Sequence, residues 1–184
     1  KATQTGAMPK FYYIMSQAYF NMGKIGSGSQ SSITWTDQAG MWDVIAAFGK
    51  NVMDNVSFDG IISTGVMLQN LRTSPLDNDM NLTRDGYHMD NGISRYGAAC
   101  AVFETLITPK FNVTLDGNSY RYTVENTSHS AYSTPVTDAN APVALKAARY
   151  AIANPYEVTD MSDVKEDLPG NSIGDVDFEE GSKE

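Results

Sequence analysis

The sequence predicts an α/β domain built on a parallel sheet, and three observations predict it. An apolar strand-like run is followed by a loop, a one-faced helix and a second short strand, which is the order of a βαβ unit. The chain has 184 residues, 41% hydrophobic and 10% aromatic, enough to bury a core within one domain. No internal repeat and no linker divides residues 1–160.

The first run is KFYYIMSQAYF, Lys10 to Phe20, which is too short and too rich in β-prone residues for a good isolated helix and reads as a buried strand. NMGKIGSGSQSS follows as a Gly/Ser loop. Its Gly-Lys pair precedes the glycine run and no G-x-x-x-x-G-K-[ST] occurs, so a phosphate loop is disfavoured. Thr36 or Asp37 is placed to cap a helix in which Met41, Ile45, Phe48 and Val52 share a face, widened by Trp42 and Met53. SFDGIIST, Ser57 to Thr64, is the second buried strand.

Residues 65–91 have no sustained periodicity, apart from a helical turn at Val66 to Leu71. Connections of this length within a compact domain are uncommon and are often functional or disordered. A helix then starts near Asn91 or Gly92, carries Ile93, Tyr96, Cys100, Phe103 and Ile107 at helical spacing, and ends before Pro109. Alternation on either side of Asp116-Gly117-Asn118 predicts a hairpin over Lys110 to Val124. The last predicted helix is capped by Asp138 or Asn140, has Pro142 in its first turn and stops at Pro155. Its Val143, Ala147, Ala151 and its Ala144, Ala148, Ile152 form the packing face.

Net charge is −9, of which −6 lies in residues 161–184, where eight acidic residues face two lysines. That segment reads as a solvated acidic tail, and nothing in the body forms a basic surface for nucleic acid. Cys100 is the sole cysteine, which excludes an internal disulfide and a Cys-based metal site and makes it a small core residue. No run approaches the roughly 18 apolar residues of a membrane span. His129 is far from the other histidine, no ligand set has metal-binding spacing, and no cofactor motif is present.

Asp85 and His88 are three apart at the end of the long irregular stretch. In a turn, side chains so spaced face the same way, and a carboxylate there fixes the imidazole tautomer and stabilises the imidazolium. Gly86 permits a tight backbone path between them. Arg72, Arg84 and Tyr87 are candidate substrate contacts. With so many aspartates in the same loop, Arg72, Arg84 and Arg95 also read as ion-pairing residues that hold its shape.

GVMLQNLRTSPLDNDMNLTRDGYHMDNGISRYGAACAVF resembles the C-terminal motif block of SGNH (GDSL-type) hydrolases, and more closely an uncharacterised bacterial branch of them. Gly65, Gln69 to Ser74, Leu82 to His88, Arg95, Tyr96, Ala98 and Ala99 carry the resemblance, and APVALKAARYAIANPYEVT is similar to the closing helix of that branch. The resemblance implies a three-layer α/β/α sandwich around a parallel sheet, a serine ester hydrolase acting on acylated carbohydrates, and a periplasmic or extracellular location. Asp85 and His88 would be two members of its Ser-His-Asp triad. No G-D-S occurs in the chain, and none of Ser27, Ser29, Ser31 and Ser32 lies in a strand-to-helix elbow. The expectation is therefore a C-terminal part of a longer domain, with the first strands and the serine in an upstream segment of the same protein. The alternative is a non-catalytic glycan- or protein-binding module on the same scaffold.

Overall fold

A computed structural model describes residues 10–19, 37–121 and 132–165. Along the chain run β1 (Tyr12–Ile14), α1 (Gln38–Asn55), β2 (Gly60–Ile62), α2 (Thr64–Arg72), α3 (Ile93–Leu106), the short α4 (Thr108–Phe111) and α5 (Ala141–Ala153). β1 and β2 pair in parallel, Tyr12 with Gly60, Tyr13 with Ile61 and Ile14 with Ile62. The protein is thus mixed α/β with a small parallel sheet, and the βαβ order read from the sequence is present.

Asp37 caps α1 as expected, its carboxylate accepting the Gly40 N–H at 2.7 Å. Most of the expected face is buried or half-buried, and Phe48 departs from it. Met41, Trp42 and Gly49 are buried, whereas Phe48 is 60% exposed. The helix makes its close approach at its glycine: a Cβ on residue 49 would lie 2.7 Å from Met15 Cε and 3.4 Å from the Tyr13 ring. Phe48, one position (100°) round the helix, points away from that seam.

The strand expected over Lys10 to Phe20 is shorter, because α2 captures the chain after Ile14. The Met15 N–H still reaches the Ile62 carbonyl at 3.1 Å, but the Met15 carbonyl accepts the Gly65 N–H at 3.1 Å and the Thr64 hydroxyl at 2.8 Å. Gly65 is required here, since a Cβ would come within 2.0 Å of the Ser16 carbonyl oxygen.

α2 extends well beyond the single turn expected at Val66 to Leu71. All of Thr64 to Leu71 is buried. A helix buried on every side has no apolar stripe, and periodicity fails to announce it. At nine residues α2 is too short to persist alone, so packing against α3 and α5 sustains it. Full burial of Val66, Met67, Leu68 and Leu71 contributes roughly 1.5–3 kcal/mol each. Gly97 of α3 gives way to Met67, and the alanines of α5 (144, 147, 148, 151) with Val143 are buried, while Ile152 is 38% exposed.

α3 ends at Leu106 before Pro109, which instead opens α4; Asn112 closes that turn in the left-handed region, φ 51°. Asn140 stands at the α5 cap position, but its side chain turns back to the Thr137 N–H (2.8 Å) and the Pro135 carbonyl (2.9 Å). The hairpin expected from Lys110 onward does not form among the described residues. Its turn at Asp116-Gly117 is bound instead by Arg149 of α5, which bridges Asp116 (2.8 Å), Thr114 (2.9 Å) and Glu104 (3.0 Å). Side-chain ties to a helix replace strand pairing there.

Met161, at the start of the acidic segment, is buried in the core, and its N–H donates to Thr73 Oγ1 at 2.8 Å. Residues 166–184, the Gly/Ser loop with Ser27, Ser29, Ser31 and Ser32, Thr36, residues 122–124 of the expected hairpin and His129 lie outside the described residues. No helix among those described is long and apolar enough to cross a membrane.

Candidate functional site

Asp85 to His88 form the tip of a small closed turn. Thr83 and Met89 make an antiparallel bridge, and the Arg84 N–H donates to the His88 carbonyl at 3.0 Å. Gly86 has φ 90°, the left-handed side that glycine adopts without penalty. Within the tip, Asp85 Oδ1 accepts the Tyr87 N–H at 3.0 Å and the His88 N–H at 2.8 Å, while Oδ2 lies 2.7 Å from His88 Nδ1. Burial pushes the Asp85 carboxyl up, but the hydrogen bonds from the His88 backbone, the His88 ring and the Tyr87 backbone outweigh it and bring the group down to about 2. Asp85 is therefore an anion at neutral pH, committed to His88. The His88 side chain is 62% exposed, and its Nε2 has no hydrogen-bond partner among the described residues.

The turn is anchored from below by a strained pair. Asn81 and Leu82 both lie in the left-handed region, φ 52° and 59°, which for a residue such as leucine costs about 1–2 kcal/mol. The strain is held by hydrogen bonds at both ends of Leu82: its N–H donates to Asn78 Oδ1 (3.1 Å), and its carbonyl accepts the Asp90 N–H (3.1 Å) and the Ser94 hydroxyl (2.8 Å).

Asp90, fully buried, ties this turn to the rest of the molecule. Its carboxylate accepts the N–H groups of Gly92 (2.8 Å), Ser94 (3.1 Å) and Thr134 (3.2 Å). Burial raises its carboxyl and these hydrogen bonds oppose the rise. The arrangement joins the α3 N-terminus to residues 133–135, where Gly92 is needed because a Cβ would lie 1.9 Å from the Thr134 carbonyl oxygen.

The dyad turn also touches the chain leaving the carboxyl end of β1, the edge where open parallel sheets place their ligands. Gln17 Nε2 donates to the Tyr87 carbonyl at 3.0 Å, and the Tyr87 ring packs edge-on to Tyr19 at 5.2 Å. Arg84 lies 3.9 Å from Asp85 Oδ2 and 3.4 Å from Asn91 Oδ1. Arg72 donates to the carbonyls of Asn81 (3.1 Å) and Ala18 (3.0 Å) and to Gln69. Arg95 is exposed on α3, apart from this network.

Sequence reasoning missed Asp90 and most of the Gln69 to Ser74 block. Asn70, fully buried, bridges the Ala147 carbonyl (3.2 Å) and the Thr159 N–H (2.7 Å), and Thr73 and Ser74 likewise bind backbone groups. Asn70 and Thr73, which also holds the Thr159 carbonyl (3.3 Å) and the Met161 N–H (2.8 Å), clamp segments far apart in sequence, and spacing alone carries no trace of that. A cleft of about 480 Å³ between α3 and residues 115–120, lined by Arg95, Tyr96, Phe103 and Tyr120 among others, contains neither Asp85 nor His88. No group of three or more His, Cys, Asp or Glu side chains able to hold a metal occurs among the described residues.

The fold and site thus define a mixed α/β protein that displays an oriented Asp–His pair at the carboxyl end of a parallel strand. The chain belongs to the DUF4886 family, a domain of unknown function, which matches residues 4–139. It is similar to the crystal structure of a DUF4886 family protein from Bacteroides uniformis ATCC 8492, with 28% identity and a TM-score of 0.61 over 85% of this chain and 52% of that one. The chain therefore spans about half the length of that structure. No curated protein matches it.

Proposed function

We propose that Asp85 and His88 are the orienting carboxylate and general base of an SGNH-type serine ester hydrolase that removes acyl groups, acetyl above all, from carbohydrates. The observation that carries the reading is the 2.7 Å contact between Asp85 Oδ2 and His88 Nδ1, with Nε2 free of a hydrogen-bond partner among the described residues. In this reading the serine lies outside this chain, in further sequence that also completes a three-layer α/β/α sandwich, and the protein works in the periplasm or outside the cell. The half-length match to the Bacteroides structure is compatible with such a division.

The chemistry follows from the geometry. Asp85 keeps the imidazole proton on Nδ1, so Nε2 presents a lone pair to the serine hydroxyl. As the oxygen attacks the ester carbonyl, Nε2 takes its proton and the Asp85 anion stabilises the imidazolium. As the bond from the acyl carbon to the sugar oxygen breaks, Nε2 returns the proton to that oxygen, which leaves as a hydroxyl. Water, activated by the same nitrogen, hydrolyses the acyl-enzyme. Arg84 and Tyr87 precede His88 in the same turn and are the proposed substrate contacts, while the donors of Arg72 are turned to Asn81, Ala18 and Gln69. The test is hydrolysis of 4-nitrophenyl acetate and of acetylated xylan by the full-length protein and its His88→Ala variant. Activity abolished by the substitution supports the reading, and equal activity refutes it.

A further inference from the structure

We infer that Arg72 is a positioning residue for His88, closing with Gln17 a ring of contacts that pins the dyad turn to the end of β1; the inference rests on the dyad reading above. The ring can be traced atom by atom. Arg72 Nε donates to the Asn81 carbonyl at 3.1 Å, and the chain runs from Asn81 through Asp85 to Tyr87. The Tyr87 carbonyl accepts Gln17 Nε2 at 3.0 Å, and the next residue, Ala18, returns its carbonyl to Arg72 Nη1 at 3.0 Å. One pin thus holds each end of residues 81–87, which carry Asp85 and lead directly into His88.

Asn81 is where the ring has most leverage. It and Leu82 are consecutive left-handed residues, so the direction in which the chain leaves them depends on what grips them. Besides Arg72, Gln38 Nε2 donates to Asn81 Oδ1 at 2.8 Å, Asn81 Nδ2 reaches both Asp77 oxygens at 3.0 Å, and the Asn81 N–H donates to the Asn78 carbonyl at 2.7 Å. Two of these grips reach beyond the turn: Gln38 Nε2 also donates to the Tyr19 carbonyl at 3.2 Å, and Arg72, which holds the Asn81 backbone itself, extends to Ala18 and, through Gln69, to its own helix.

Arginine suits this task for a geometric reason. The guanidinium is mostly buried with no carboxylate at hydrogen-bond distance among the described residues, a costly way to place a cation. Its rigid plane of donors fixes three acceptors relative to one another, which a lysine ammonium does not do. Arg72 Nη2 has no hydrogen-bond partner among the described residues.

The test uses the full-length protein with Arg72→Met, Arg72→Lys and Gln17→Leu. Two readouts are needed: the His88 ring tautomer by ¹⁵N–¹H NMR, and kcat and KM on 4-nitrophenyl acetate. Arg72→Met and Gln17→Leu are each expected to keep the helical circular-dichroism spectrum, to lose the Nδ1–H tautomer signature, and to lower kcat about 10²-fold with KM little changed, the cost of a displaced catalytic group. Arg72→Lys should recover part of both. A folded Arg72→Met protein with the parent tautomer and kcat overturns the inference; should that variant not fold, the same result in Gln17→Leu does so. If the parent protein hydrolyses no ester yet Arg72→Met still disturbs the His88 tautomer, the esterase reading falls and the positioning role stands.

Discussion

Asp85 grips His88 twice, once at the ring through Oδ2 to Nδ1 (2.7 Å) and once at the backbone through Oδ1 to the N–H (2.8 Å). One carboxylate therefore sets both the path of the turn and the orientation of the imidazole. Asp85→Asn separates the two roles. The amide oxygen can still accept the backbone N–H groups, but its NH₂ then faces Nδ1 and forces the proton onto Nε2. The fold should survive while kcat on an acetyl ester drops roughly 10³- to 10⁴-fold; an unchanged kcat would show that His88 needs no orienting partner.

The same carboxyl predicts a pH dependence of stability. Its folded value is about 2, below its ordinary 3.8. A depressed carboxylate contributes stability that is complete above the ordinary value and is lost as pH falls toward the folded one. Urea denaturation of the parent and Asp85→Asn proteins should therefore converge between about pH 4 and pH 2. A gap that stays constant across this window contradicts the assigned hydrogen bonds.

Asp90 should matter to stability rather than to chemistry. Asp90→Asn leaves one of its three N–H partners facing an amide NH₂ in a fully buried position, which costs about 1–3 kcal/mol. A lowered urea midpoint with an unchanged slope is expected. No change in the midpoint would mean that residues 133–135 are not held to α3 by this side chain.

Gly65→Ala tests the junction of β1 and α2. The added methyl meets the Ser16 carbonyl oxygen at 2.0 Å, backbone that can yield only by moving the segment leaving β1. A loss of at least about 1–3 kcal/mol is expected, the usual cost of overpacking. Wild-type thermal stability in this variant would place Ser16 elsewhere.

How far the sequence reveals these features depends on whether they are local. The Asp85–His88 contact is legible because both residues lie in one turn, as is the Asp37 cap, and the βαβ order shows in runs of apolar residues. α2 is not legible, since burial of Thr64 to Leu71 on every side erases the stripe that marks a helix. The false hairpin has the opposite origin: residues 110–124 alternate convincingly, but Arg149, far along the chain, binds Asp116 and Thr114 in place of a paired strand. Arg72 reads from the sequence as a residue that holds the loop by ion pairs, but its backbone partners, like the clamping role of Asp90, were out of reach for a similar reason. Their partners are backbone groups of distant residues, Ala18 and Thr134, and a backbone carbonyl or N–H leaves no mark in a sequence.

The central claim is that His88, oriented by Asp85, acts as a base. The measurement that tests it most directly is acetate release from an acetylated carbohydrate by the full-length protein, compared with its folded His88→Ala variant. The account predicts release by the parent protein and a loss of at least about 10³-fold in the variant. Equal release by the two proteins, or none by either, would contradict it.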